Sequence, residues 1–111
     1  MELQVRQEGN VTVVTVAGRL DAVTAPEYEK KARELIDSGV VRLVVDFEKV
    51  DYVSSAGLRG LLVTAKLLKP KGGQMRCANI RGNVREVFQI TGLSYVFPLD
   101  DDLASALTAL A

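Results

Sequence analysis

From Val11 to Ala17 the chain reads Val-Thr-Val-Val-Thr-Val-Ala, a β-branched, nearly alternating run that predicts a strand. Leu3 and Val5 predict a shorter strand before it, with Glu8-Gly9-Asn10 as the hairpin turn between the two. The period then changes. Tyr28, Ala32, Leu35 and Ile36 fall on one helical face, and Gly39 stops that helix. At its start Thr24, with Glu27 three residues on, predicts a capping box. Val40 to Phe47 is almost continuously apolar, broken by Arg42 and Asp46, as in a central strand buried on both faces.

A second helix is predicted from about Ser55 to Lys69, broken by Pro70-Lys71-Gly72-Gly73. Gln74 to Ile80 predicts another strand. Asn83 and Glu86 form a second capping-box pattern, followed by the face Val84, Val87, Phe88 and Thr91, which ends at Gly92. A short strand is predicted near Val96. Asp100-Asp101-Asp102 then puts negative charge at the start of a last helix carrying Leu103, Ala106, Leu107 and Leu110. Alternation of this kind predicts one α/β domain over residues 1–111 with right-handed crossovers.

Composition narrows the chemistry. The 14 basic and 14 acidic residues cancel, which gives no electrostatic reason to expect nucleic acid or an anionic membrane as partner. No run approaches the roughly 18 apolar residues of a spanning helix. The opening MELQVRQEGN is unlike a secretory signal, so a soluble cytoplasmic protein is expected. There is no histidine, which removes the serine–histidine–acid triad and the commonest metal ligand, and a single cysteine allows no internal disulfide. No metal or cofactor is expected.

The stretch DYVSSAGLRGLL, Asp51 to Leu62, carries the candidate chemistry. Here a predicted strand end meets a helix start, with Ser54 or Ser55 as N-cap. A helix start attracts anions, and Gly57 allows close approach to the backbone. A cap needs only one serine. Along the helix, Leu58, Leu61, Leu62, Ala65 and Leu68 form a core stripe. Ala56, Gly60, Val63 and Leu67 form a second apolar stripe nearly opposite, flanked by Arg59 and Lys66. Its cover is either another helix of this chain or a partner. The nucleophile elbow G-x-S-x-G and the phosphate loop G-x-x-x-x-G-K-[ST] are both absent, so no hydrolase activity is expected. Asp21 and Asp46 are candidate acids near the same sheet edge, with turn and cap chemistry as their ordinary role.

On "VAGRLDAVTAPEYEKKARELI", "LVVDFEKVDYVSSAGLRGLL", "GGQMRCANI" and "NVREVFQITGLSYVFPLDDDLASAL", the chain resembles a STAS domain of the bacterial anti-sigma factor antagonist type over almost its whole length. The resemblance implies a single α/β domain with a mixed four- to five-stranded sheet and about four helices largely packed on one face. It implies a non-enzymatic module that binds an anti-sigma factor, itself a serine kinase, and so releases a sigma factor. The kinase would phosphorylate a residue at the start of the second helix, the complex would part, and a serine phosphatase would reset it. Many members read Asp-Ser-Ser-Gly-Leu or Asp-Ser-Ala-Gly-Leu here. In this chain Ser54 stands at the aspartate, and Ser55 matches the acceptor of the second form, so the resemblance points to Ser55 first and Ser54 second. The expected partner surface is Ser54, Ser55, Ala56, Gly60, Val63 and Leu67, with Arg59 and Lys66 at its rim and Asp21 nearby. A monomer or weak homodimer is expected.

Two other readings compete. One is an unswitched STAS interaction subunit of a transport or sensor complex, in which the same helix docks permanently. The other is a small-molecule or nucleotide-binding domain using the sheet edge near Asp21 and Ser54.

Overall fold

A computed structural model describes residues 1–111. Five strands form one sheet in the order β1-β2-β3-β4-β5. They are β1 (Glu2–Glu8), β2 (Val11–Leu20), β3 (Arg42–Val53), β4 (Gln74–Ala78) and β5 (Leu99–Asp100). The β1–β2 pair is an antiparallel hairpin whose Glu8–Val11 pairing leaves a two-residue loop, with Gly9 at φ 64°. All later pairings are parallel. The helices are α1 (Ala25–Asp37), α2 (Ser55–Leu68), α3 (Gly82–Ile90) and α4 (Leu103–Leu110).

The period of two along the central strands divides the core. Val14, Val16, Leu43, Val45, Phe47, Met75 and Cys77 point to one face, where α1, α2 and α3 pack. Phe88 of α3 stands edge-on between Phe47 and Phe97, with ring centroids 5.7 and 6.0 Å away. Val11, Val13, Val44 and Ala78 point to the other face, where Ala106 and Leu110 of α4 cover them. The continuous apolar run of β3 is thus explained by burial on both sides. The mixed sheet and four helices agree with expectation, with three of the helices on one face and α4 alone on the other.

Several local expectations are corrected. Thr24 does precede α1, but its side chain caps nothing. Its hydroxyl donates to Arg19 O at 2.7 Å and accepts from Asp21 N at 2.9 Å, so the preceding loop has captured it. No capping box forms at Asn83 either, because α3 starts two residues earlier than that box requires, at Gly82, with Arg81 as its uncapped N-cap. β4 ends at Ala78 rather than Ile80, since Asn79 turns to φ 60° and donates from Nδ2 to Asp46 Oδ1 at 2.7 Å. The region near Val96 is a 3-10 turn over Leu93–Tyr95, and the short strand lies after it at Leu99–Asp100. No helix is long and apolar enough to cross a membrane.

Candidate functional site at the start of α2

The long β3 strand runs beside β2 to Val53, and the chain turns at once into α2. Ser54 fixes that turn. Its backbone N–H donates to Leu20 O at 2.9 Å, its carbonyl accepts from Leu58 N at 2.9 Å, and its hydroxyl accepts from Gly57 N at 3.3 Å. Ser54 is therefore the N-cap, half-buried and committed. Ser55 is the first helical residue. It is exposed, and its hydroxyl makes no hydrogen bond within the chain. The two serines divide the capping role that the sequence left open between them.

Gly57 is needed for this arrangement. A Cβ on it would lie 3.0 Å from Leu20 Cγ and closer still to the Leu20 carbonyl oxygen. The close approach anticipated at Gly57 is therefore that of the end of β2 itself.

The β2–α1 loop beside it is organised by Asp21. Its Oδ1 accepts from Val23 N at 3.0 Å and from Thr24 N at 3.2 Å, and Arg19 Nε donates to Oδ2 at 3.4 Å. The hydrogen bond from the Thr24 backbone is the chief cause holding the Asp21 carboxyl below the ordinary aspartate range. These contacts occupy the carboxylate with its own loop, and it makes no hydrogen bond to either serine. Asp46 is further removed in role. It is buried on the α4 side of the sheet, where it accepts from Asn79 and from Glu48 N at 3.0 Å. Neither aspartate forms an acid–hydroxyl pair with Ser54 or Ser55.

The second apolar stripe of α2 is split. Gly60 is buried against α1, where a Cβ would meet Glu29 Cγ at 3.3 Å and Tyr28 Cδ2 at 3.4 Å. One turn on, Thr64 shares a 2.7 Å hydrogen bond with the Tyr28 hydroxyl and donates to Gly60 O at 2.9 Å. Burial drives the Tyr28 phenol upward from its usual range, so it stays a neutral partner. Thus α1 covers Gly60, which cannot itself be an exposed contact. Ala56, Val63 and Leu67 are half-buried beside this seam, while Ser55, Arg59 and Lys66 are exposed along one side of the helix. Leu62 and Ala65, expected in the core stripe, are only half-buried.

Two exposed residues near the strand ends were not anticipated, and Tyr52, next to inward-facing Val53, points to the side of the sheet away from α2. Val23 is 86% exposed on the Asp21 loop, and Tyr52, two residues before the cap, is 43% exposed with the Arg19 guanidinium 4.2 Å from its ring centre. An isolated valine between turn residues carries no periodic signal. Tyr52 falls in Glu48 to Val53, which reads from sequence as a loop, whereas β3 continues through it to Val53.

No group of three or more Cys, Asp or Glu side chains is placed to hold a metal. Cys77 is enclosed in the core, and burial pushes its thiol upward, away from the reactive thiolate.

The family model described as the STAS domain matches residues 2–106. BtrV of Bordetella bronchiseptica, a protein named as an anti-sigma factor antagonist, is 31% identical over 109 residues, 98% of this chain and 94% of that one. A crystal structure of an anti-sigma factor antagonist from Mycobacterium paratuberculosis superposes with TM-score 0.90 at 34% identity, covering 98% of this chain and 92% of that one. The Bacillus cell fate determinant SpoIIAA in its phosphorylated form shares the fold at TM-score 0.77 and 21% identity, covering 99% and 100% of the two chains. The chain belongs to the STAS domain family, grouped with its bacterial anti-sigma factor antagonists.

Proposed function

We propose that this chain binds an anti-sigma factor that is also a serine kinase, releases the sigma factor it holds, and is switched off by phosphorylation of Ser55. The observation that carries this reading is the division of labour between the serines: Ser54 is committed to the cap, while Ser55 is exposed with a free hydroxyl at the first helical position. Family members act as regulatory adaptors rather than enzymes, and a relative of the same fold exists in a phosphorylated form. The partner surface consists of Ser55, Ala56, Arg59, Val63, Lys66 and Leu67 on α2, with Val23 and the loop organised by Asp21 beside them. Ser54 and Gly60 serve it from beneath by fixing the helix start and the helix seam. A serine phosphatase restores the binding state, and the cycle runs in the cytoplasm on a chain that is monomeric or weakly dimeric.

The switch has a sound physical basis. A phosphate adds about −1.5 to −2 charges near neutral pH. At the first turn of a helix the fold tolerates that charge, because the dipole and free N–H groups favour it. An interface closing over Ser55 would have to desolvate it, at a cost of several kcal/mol when unpaired. With about 1.4 kcal/mol per tenfold, binding weakens by about a hundredfold or more. Mass spectrometry after incubation with the cognate kinase and ATP should place the phosphate on Ser55, and Ser55→Ala should abolish it. A proven partner kinase that modifies only Ser54 would move the switch to the cap residue and refute the Ser55 assignment, and one that modifies neither serine would favour a permanently docked STAS subunit.

A further inference from the structure

A second surface lies away from the helix start, along the outer edge of β4. β5 pairs only with Cys77 and Ala78, so the first part of β4, Gln74 to Arg76, has no neighbouring strand on that side. The direction of its backbone groups follows from alternation. Gln74 N donates inward to Val41 O, and Cys77 N donates outward to Pro98 O. The N–H and carbonyl of Met75 therefore face outward, at the position where a continued β5 would bond. Unpaired edges of this kind are templates for strand addition unless blunted.

The edge opens into a groove of about 670 Å³. Leu62 and Ala65 of α2 line one wall, and Val96, Phe97 and Pro98 line the other. Val96 is 48% exposed and its neighbour Tyr95 is 93% exposed, an apolar rim with no cover in the chain. The charge in the groove is of one sign. Lys66, Lys69 and Arg76 line it, with no aspartate or glutamate among the lining residues. Arg76 is paired with Asp100 at 2.7 Å, whereas Lys66 and Lys69 form no ion pair.

We infer that this groove takes an extended, acidic segment of a partner protein, which adds as a short strand beside Met75. Its α2-facing side chains, at every second position, would be apolar in the cleft between α2 and Val96 and acidic where they meet Lys66 and Lys69. Main-chain bonding supplies affinity in such additions, and the pockets for alternate side chains supply selectivity. The site goes beyond the switch at Ser55. Only Lys66 borders both surfaces, so the two can be tested apart.

The test pans the full chain against a random-peptide phage library and maps the enriched peptides by amide NMR shifts on the labelled chain. The expected peptides carry acidic residues two positions away from apolar ones. They should shift Met75 and its neighbours in β4 and the end of α2, and should weaken as salt rises. Methylating one backbone nitrogen of such a peptide, or introducing Lys69→Glu into the chain, should each weaken binding by about tenfold or more. Ser55→Glu should leave this binding intact even if it abolishes kinase binding. No enrichment, enrichment of basic peptides, or shifts confined to other surfaces would overturn the proposal and leave the lysines as guards of a bare edge. Shifts at β4 that appear on concentrating the chain alone would assign the groove to a second copy and equally overturn it.

Discussion

Gly57→Ala isolates the contact that sets the position of both serines. The new methyl would lie 3.0 Å from Leu20 Cγ and closer to the Leu20 carbonyl oxygen. Relaxed carbon contacts are about 3.5–4.0 Å. The carbonyl is not free to retreat, because it accepts the 2.9 Å hydrogen bond from Ser54 N that joins β2 to the helix start. Overpacking against so fixed a neighbour falls in the upper part of the usual range, about 2–3 kcal/mol. Alanine recovers up to about 1 kcal/mol of helix preference over glycine. The net loss, about 1–2 kcal/mol, lowers Tm by roughly 4–10 °C in a domain of this size. Gly60→Ala is the matched control, for its methyl meets Glu29 Cγ at 3.3 Å and Tyr28 Cδ2 at 3.4 Å, side chains rather than backbone. The half-buried Glu29 can yield, so its cost and the helix gain should cancel to within about 0.5 kcal/mol. Circular dichroism melts of the two variants measure the difference. Gly57→Ala melting with the parent chain, or Gly60→Ala melting lower than Gly57→Ala, would refute the assigned contacts.

The two serines should differ in stability as they differ in geometry: Ser54→Ala should lose about 1 kcal/mol through the cap, and Ser55→Ala should stay within about 0.5 kcal/mol of the parent in urea titrations. Arg59→Glu, at an exposed position with no ion pair, should leave the melt unchanged while weakening kinase binding, and unchanged binding by calorimetry would remove Arg59 from the surface. Acid should expose the two structured carboxylates. Asp21 and Asp102 are held below the ordinary value of 3.8, chiefly by backbone hydrogen bonds from Thr24 and Ser105. Their folded pKa values are depressed, so their contribution is complete above the ordinary value and is lost as pH falls through the lower folded ones. Melts of Asp21→Asn/Asp102→Asn should show a flatter decline below pH 3.8 than the parent, and an equal decline would contradict the assignment.

Much of this architecture was legible because it rests on period. The β-branched run of β2 and the nearly continuous apolar run of β3 follow from burial on both faces, and the helical faces of α1 and α3 from burial on one. The two failed capping boxes show the limit of short patterns. Thr24 has the right neighbour in Glu27, but the hydroxyl is taken by Arg19 O and Asp21 N, partners fixed by the loop rather than by spacing. The second apolar stripe of α2, with Gly60 in it, left its cover open between another helix of the chain and a partner. Only the packing of Tyr28 and Glu29 over Gly60 shows that the cover there is α1. Ser54 and Ser55 were equivalent as caps until Gly57 and Leu20 O fixed where the helix begins. Asp46 looked close to the serines in order along the chain, yet its side chain occupies the opposite face of the sheet, with Asn79.

The most direct test of the central claim is a calorimetric titration of the cognate anti-sigma kinase with the chain in two forms, unmodified and carrying phosphate on Ser55 alone. Melting each form first separates the switch from damage to the fold. The phosphate at the helix N-terminus should leave Tm unchanged or slightly raised, by an interaction worth about 0.3–1 kcal/mol. The same phosphate should weaken kinase binding by about a hundredfold or more. Equal affinities for the two forms, with both folded, would contradict the account.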